Sequence, residues 1–427
     1  MKVGYTYSTI SKLPKELRPE DVGKQISVEG IVSRISEVLE YPFKVTFVCQ
    51  TCGHEIVAEY KPWEKPTKPK KCEECNSKNI KIDPLKSFSR RYQLLRIQDP
   101  PEALTEGVPP THVDGIVIDS LVGSLKLGAR VRVTGVLTAA SRNSSGNRGF
   151  VLKNVLEVTH VDIIGKESPG DSVTDQDIRR FHEEVQKKDF KQRIIQSMIP
   201  IRGYDSLKEG LLLAVLGGAE TWLPDGTKLR RNIHVLIVDE QQKASHILSP
   251  IVEMMPRVLY VEGSTIQRSE LVAKTVRDDL TMERVIQAGP LVLANEGVFI
   301  LEDLDKLSKL DKESLAKVME QEVAFLPKAD VVGKFSVKTT VIAVAAPKSG
   351  VIDKSKSLAS QLNVTLGLLN AFDLVYIMSN ATSGEQAKNE RLYSISPLWA
   401  SRESYYDREF IRKFIAYARS LNPVLSV

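Results

Sequence analysis

The chain has 427 residues, 42% hydrophobic and 26% charged, with a formal net charge of +5 and a pI near 8.8. That is the composition of a soluble globular protein too long for one core, so two or three domains are expected, and its mild positive charge fits either nucleic-acid binding or an ordinary solvated surface. No run reaches the ~20 apolar residues of a membrane span, the N-terminus lacks a secretory pattern and four cysteines make no disulfide scaffold, so an intracellular protein is expected.

Residues 1–162 read as all-β. Gln25–Ile35 alternates apolar and polar residues, with Gly30 where a strand can bend, and Arg130–Leu137 alternates likewise. Gly107, Pro109, Pro110, Gly115, Gly123 and Gly128 punctuate the segments between, which predicts a small barrel or sandwich. Residues 163–190 are polar and charged and read as a linker, with a short amphipathic helix from Thr174. From residue 191 the pattern is α/β. Five apolar runs (Ile233–Val238, Val258–Glu262, Val298–Leu301, Thr340–Ala345 and Leu374–Met378) alternate with helix-like segments such as Asp311–Glu322, where Leu315, Val318 and Met319 share a face. This predicts a doubly wound parallel sheet.

Within the first part, Cys49-x2-Cys52 is followed after 19 residues by Cys72-x2-Cys75. Each pair suits a tight turn that aims two thiolates inward, and two such turns complete a tetrahedron around zinc. All four positions are then filled by protein, so the metal is expected to be structural; a disulfide or iron–sulfur arrangement is the alternative. Lys61, Lys65, Lys68, Lys70, Lys71, Lys78 and Lys81 surround the quartet, either as a solvated surface or as phosphate contacts.

Taken in order, ISVEGIVSRISEV, FVCQTCGHE, QLLRIQDPPEAL, GARVRVTGVL, IRGYDSLKEGLLLAVLGG, AGPLVLANEGVFILEDLDKL and FIAYARSLNP resemble the MCM (minichromosome maintenance) family of replicative DNA helicases, in an archaeal-like form. The resemblance covers nearly the whole chain. It implies an OB-fold DNA-binding domain over 1–162, with a zinc ribbon inserted at about 45–85, a linker over 163–190 and an AAA+ ATPase-like domain over 191–427. Active members encircle DNA as rings and move along it using ATP. On the resemblance, the family's N-terminal helical subdomain and C-terminal lid are expected to be missing.

The resemblance also locates the motor motifs, and they are altered. A phosphate loop needs glycines, so that backbone N–H groups reach the phosphates, and a lysine for the β/γ oxygens. The matching segment Val238–Ser245 contains no glycine; Ala244 stands at the lysine position and Lys243 lies one residue early, while Ser245 remains where the magnesium hydroxyl belongs. Glu240 and Gln241 replace small residues, and a carboxylate about 4 Å from a phosphate is repelled by ~4 kcal/mol at intermediate dielectric. Glu302 and Asp303 stand where the family has Asp-Glu, so the carboxylates are swapped. Ala346 matches the first sensor, and Ala371 the arginine that reaches a neighbouring subunit. Lys243 and Ser245 remain as weak candidates to hold ATP and magnesium, and Glu302 could still hold a metal-bound water.

For DNA, the resemblance points to a hairpin flanked by Arg142 and Arg148, able to meet phosphates without reading bases. It also points to Lys334, at the tip position of the hairpin Pro327–Val337, with a passive surface lysine as the plain alternative. Asp99–His112 resembles the loop that couples the two domains. Three readings follow: a non-hydrolysing MCM paralogue that binds DNA or assists an active helicase, as a monomer or weak oligomer in the cytoplasm at the nucleoid; an active ATP-dependent helicase with an atypical site; and a relic without function.

Overall fold

In a computed structural model the described residues are 11–64, 66–104, 108–142, 151–164, 173–201, 203–222, 225–226, 228–240, 242–255, 257–278, 281, 283–328, 331–378 and 405–421. They form two compact units. The first comprises Met1–Ile164 together with Thr275–Ala288; the second comprises Gly165–Lys274 and Gly289–Val427.

In the first unit the strands are β1 (Gln25–Ser36), β2 (Leu39–Cys49), β3 (Glu55–Glu59), β4 (Ile80–Gln98), β5 (His112–Ile118), β6 (Arg130–Arg142) and β7 (Val151–Ile163). β1 pairs antiparallel with β6 and with β4, β6 with β7, β4 with β5, and β7 runs parallel to β5. These pairings close a ring of five strands, so the barrel has no open edge. Closure needs tight approaches. A Cβ on Gly135 would lie 2.3 Å from the Glu157 carbonyl oxygen, at the point where the β6–β7 register shifts. A Cβ on Gly30 would meet the Gln98 carbonyl oxygen at 2.5 Å. β2, β3 and the first part of β4 leave this barrel as an antiparallel ribbon that carries the cysteines.

The second unit begins with α1 (Asp175–Val185), α2 (Phe190–Met198) and α3 (Asp205–Leu216), followed by the two-residue strands β8 (Thr221–Trp222) and β9 (Lys228–Leu229). Then come β10 (Val235–Asp239), α4 (Ala244–Met254) and β11 (Val258–Glu262). β12 (Ala273–Arg277) and β13 (Arg284–Ala288) follow in the chain, but Thr275–Ala288 belongs to the first unit. There β13 pairs antiparallel with the end of β1, and Val285 is buried beside Tyr41 and Tyr92. The chain returns through α5 (Pro290–Leu293), β14 (Val298–Glu302), α6 (Lys309–Gln321), β15 (Val323–Lys328), β16 (Val331–Ser336), β17 (Thr340–Ala345), α7 (Leu358–Gln361), α8 (Leu366–Asn370) and β18 (Leu374–Met378) to a helix at Arg408–Ser420.

The central sheet has the order β11-β14-β17-β10-β18, all parallel. β10 and β17 are buried along their whole length, as helices on both faces require, which is why they read as unbroken apolar runs. The stretch expected to be a linker is not one throughout. α1 is capped by Thr174, whose hydroxyl accepts from the Asp177 N–H, and its Phe181 is buried against Phe410 and Phe414 of the Arg408–Ser420 helix. Its apolar face has a partner distant in sequence, so it is part of the second unit's core.

Candidate functional site

At the cysteine quartet, β2 ends on Cys49 and the chain turns through Gly53 at φ +77°, with the Gly53 N–H donating to the Cys49 carbonyl. The second turn repeats this geometry: Asn76 adopts φ +56° and its N–H donates to the Cys72 carbonyl. Asparagine tolerates this left-handed conformation better than most side chains. The sulfur atoms of Cys49 and Cys75 are 3.5 Å apart, those of Cys52 and Cys72 are 3.6 Å apart, and all four lie within 4.8 Å of one another. Those separations are too long for disulfides, while a tetrahedron with metal–sulfur bonds of ~2.3 Å has edges of about 3.8 Å. Backbone N–H groups of Cys52 and Thr51 hold the Cys49 thiol down to about 6, while the neighbouring sulfurs leave Cys52 pushed up to about 12 and Cys75 raised, so without a metal the four sulfurs favour one thiolate at the others' expense. The quartet is therefore positioned to hold a metal ion.

In the second unit, the carboxyl ends of β10, β14 and β17 gather Asp239–Ser245, Glu302–Asp303 and Ala346. This is the edge where open parallel sheets bind ligands. Ser245 and Lys243 are exposed, and Ala244 is buried as the first residue of α4. The exposed N–H groups of such a helix start are what a phosphate loop offers to phosphate. Here the Asp239 carboxylate, buried at the end of β10, accepts from the Ala244 N–H at 2.7 Å. An internal anion thus takes one of the donors that a phosphate would use. Glu240, which the sequence suggested would repel phosphate, turns aside, its carboxylate accepting from the Ile352 N–H at 2.6 Å. Gln242 adopts φ +55°, and Gln241 lies outside the described residues.

In the acidic pair, Asp303 is engaged. Asp303 adopts φ +53° and pairs with Lys306 at 2.8 Å. Glu302 Oε1 is buried without a hydrogen-bond partner among the described residues. Tyr260, on β11, has its phenol pushed well up, first by burial and then by the nearby Glu302 carboxylate. The Ala346 N–H donates to Asp305 at 3.1 Å, so β17 is tied to the acidic segment through backbone. Ala371 is not in this cluster. It precedes β18, at the opposite edge, and its carbonyl accepts from Arg230, which also grips Asp373 through two nitrogens at 2.7 and 3.0 Å.

Among the DNA candidates, Arg142 ends β6 and its side chain lies outside the described residues, as does all of Arg148. Lys334 is exposed but does not sit at a tip: it is paired with Phe325 within the β15–β16 ladder, whose end is the Lys328–Val331 pair. Asp99 is buried, with one carboxylate oxygen on the Lys15 N–H at 3.1 Å and the other on the Thr111 N–H at 2.9 Å, and so pins both ends of its loop. Two features lay beyond sequence reasoning, the Asp239 contact and the transfer of Thr275–Ala288 to the first unit. An aspartate ahead of a helix is the only local signal for the first.

A closed five-stranded barrel bearing a four-cysteine ribbon, followed by a parallel sheet with a helix start at its central strand, defines an OB domain joined to a P-loop-type domain. Family models agree: an MCM OB domain matches residues 12–141, and an MCM P-loop domain matches residues 177–394. The chain belongs to the MCM family. It is 30% identical over 417 residues to the minichromosome maintenance protein MCM of Saccharolobus solfataricus, covering 95% of this chain and 60% of that protein. It is 30% identical over 387 residues to the DNA replication licensing factor mcm3 of Schizosaccharomyces pombe, covering 86% and 44%, and 28% identical over 444 residues to the licensing factor MCM4 of Arabidopsis thaliana, covering 96% and 52%. The chain thus spans between 44% and 60% of the length of these relatives. Among the described residues no helix is long and apolar enough to cross a membrane.

Proposed function

We propose that this chain is a DNA-binding MCM-family component of DNA replication that does not hydrolyse ATP. One observation carries the reading: the Asp239 carboxylate rests on the Ala244 N–H, at a loop without glycine and at a helix start without lysine. A triphosphate would have to displace a negative charge that is already hydrogen-bonded there, and the nearest lysine, Lys243, stands one residue early. The missing sensor at Ala346 and the missing arginine at Ala371 agree with it.

In this reading the cysteine quartet holds structural zinc through Cys49, Cys52, Cys72 and Cys75. DNA is bound through its phosphates without sequence preference, by the first unit and by Lys334. An active MCM paralogue is the natural working partner, and the cytoplasm at the nucleoid is the natural location.

The test mixes protein, ATP, magnesium and single-stranded DNA and measures phosphate release alongside DNA binding. DNA binding that falls steeply with salt, with phosphate release at background, is the expected result. Hydrolysis well above background that disappears in Glu302→Ala establishes an active helicase with an atypical site instead. Absence of both activities identifies a relic.

A further inference from the structure

The amino-terminal edge of the second unit's sheet encloses a cavity of about 130 Å³. Arg231, Arg257, Glu296 and Lys338 lie in the connections that enter β10, β11, β14 and β17, and Glu220 and Arg419 complete the charged lining. β10 is five residues long, so at ~3.3 Å per residue the cavity is roughly 16 Å from the Asp239 turn. It is a different place from the altered phosphate loop and owes nothing to it.

Four cations here face two carboxylates, and both carboxylates are engaged. Glu220 bridges Lys338 at 2.9 Å and Lys228 at 3.0 Å, and Glu296 pairs with Arg257 at 3.4 Å. No carboxylate among the described residues pairs with Arg231 or Arg419. Arg231 instead donates to the Arg419 carbonyl at 2.6 Å, which fixes the first guanidinium beside the backbone of the second residue. Arg231 Nε is buried without a hydrogen-bond partner among the described residues. Burial, and after it the charges of Arg231 and Arg257, push Arg419 down to about 10 against a smaller opposing pull from Glu296. Sheltered like charges with an unmet donor are costly unless an anion joins them. The room suffices for one: a single water needs ~10–15 Å³ measured the same way.

We propose that Arg231 and Arg419 form a binding site for a phosphoryl oxyanion, with Arg257 and Lys338 adding positive potential around it. The planar guanidinium fork matches two oxygens of a tetrahedral phosphoryl group, which makes this ligand a better fit than a halide. The phosphoryl group comes either from a free phosphate compound or from a nucleic-acid backbone.

The probe is inorganic phosphate, titrated into the full chain against chloride at constant ionic strength. Phosphate is expected to raise the unfolding temperature saturably and to broaden its own phosphorus NMR resonance. Arg231→Gln and Arg419→Gln each weaken that binding by about tenfold or more, since each removes a charge-assisted hydrogen bond. Arg419→Lys keeps the charge and the stem and loses less, so it decides the matter if either glutamine variant fails to fold. No phosphate-specific response in the unaltered chain overturns the proposal, as does undiminished binding in folded glutamine variants. A short oligothymidylate then separates the two sources: displacement of phosphate assigns the site to nucleic-acid backbone, and retention assigns it to a free phosphate compound.

Discussion

Asp239 and His234 flank the same short strand and set its ends by opposite means. The Asp239 carboxylate caps α4 at Ala244, and removing a buried capping acceptor costs about 1–3 kcal/mol. Asp239→Ala is therefore expected to lower stability by that amount in urea denaturation. Under the proposed reading it recovers little ATP affinity, because the loop would still lack its glycines and the lysine that Ala244 replaces. A variant as stable as the parent would show that the carboxylate is not holding the helix start. His234 is buried, its Nδ1 accepting from the Val341 N–H at 3.0 Å and its Nε2 facing the Met319 carbonyl at 3.2 Å. Only the neutral ring with its proton on Nε2 satisfies both contacts. Burial first, and then Arg230, push its value down to about 4 from the ordinary 6.5. The unfolded chain then binds more protons than the folded one between those two values. His234 thus contributes stability that is present above pH 6.5 and lost as pH falls towards 4, about 3 kcal/mol in full. Denaturation at pH 7 and at pH 4.5 should show this loss in the parent and a smaller loss in His234→Gln; equal losses in both would rule His234 out as the source.

At the scale of elements, the ribbon of β2, β3 and early β4 has a very small core. Its buried apolar residues besides Cys49 and Cys72 are Val45, Phe47 and Ile80. So few side chains do not offset the conformational entropy of the loop between the two cysteine pairs, so the metal should supply the difference. One zinc per chain is expected by elemental analysis. Chelation, or Cys72→Ser, should speed hydrogen exchange across 45–60 and 72–83 while β5, β6 and β7 of the closed barrel stay protected. Exchange unchanged after metal removal would leave the ribbon self-sufficient. What was legible in the sequence divides along the same lines. The cysteine spacing and the buried strands could be read, because a metal turn and a two-faced strand each write a local pattern. α1 was recognisable as amphipathic, but what Phe181 packs on was not, since its partners are Phe410 and Phe414. Thr275–Ala288 escaped for the same reason: alternation marks a strand and not the sheet that receives it. Asp239 escaped because capping depends on where one carboxylate points.

At the scale of the whole molecule, the altered site bears on assembly. Ring interfaces of the family are partly built around a nucleotide shared between subunits, with an arginine from one reaching the phosphate of the next. Under the proposed reading Ala371 takes the arginine position, and the adjacent Arg230 is spent on Asp373 and on the Ala371 carbonyl. On the receiving side the Asp239 carboxylate already accepts from the Ala244 N–H. The proposed reading thus has both halves of such a contact changed in the same molecule, and neither would be restored by a second copy. The surrounding protein surface alone has to hold a ring together, and without a bridging ligand its association free energy must exceed the rigid-body entropy of each joined subunit unaided. We therefore expect gel filtration with light scattering to give a monomer or weak oligomer at micromolar concentration, unchanged by ATP and magnesium. A stable hexamer without nucleotide would show that the interface does not need the ligand. A hexamer appearing only with ATP would be more damaging, because it would mean that the triphosphate finds a seat despite Asp239.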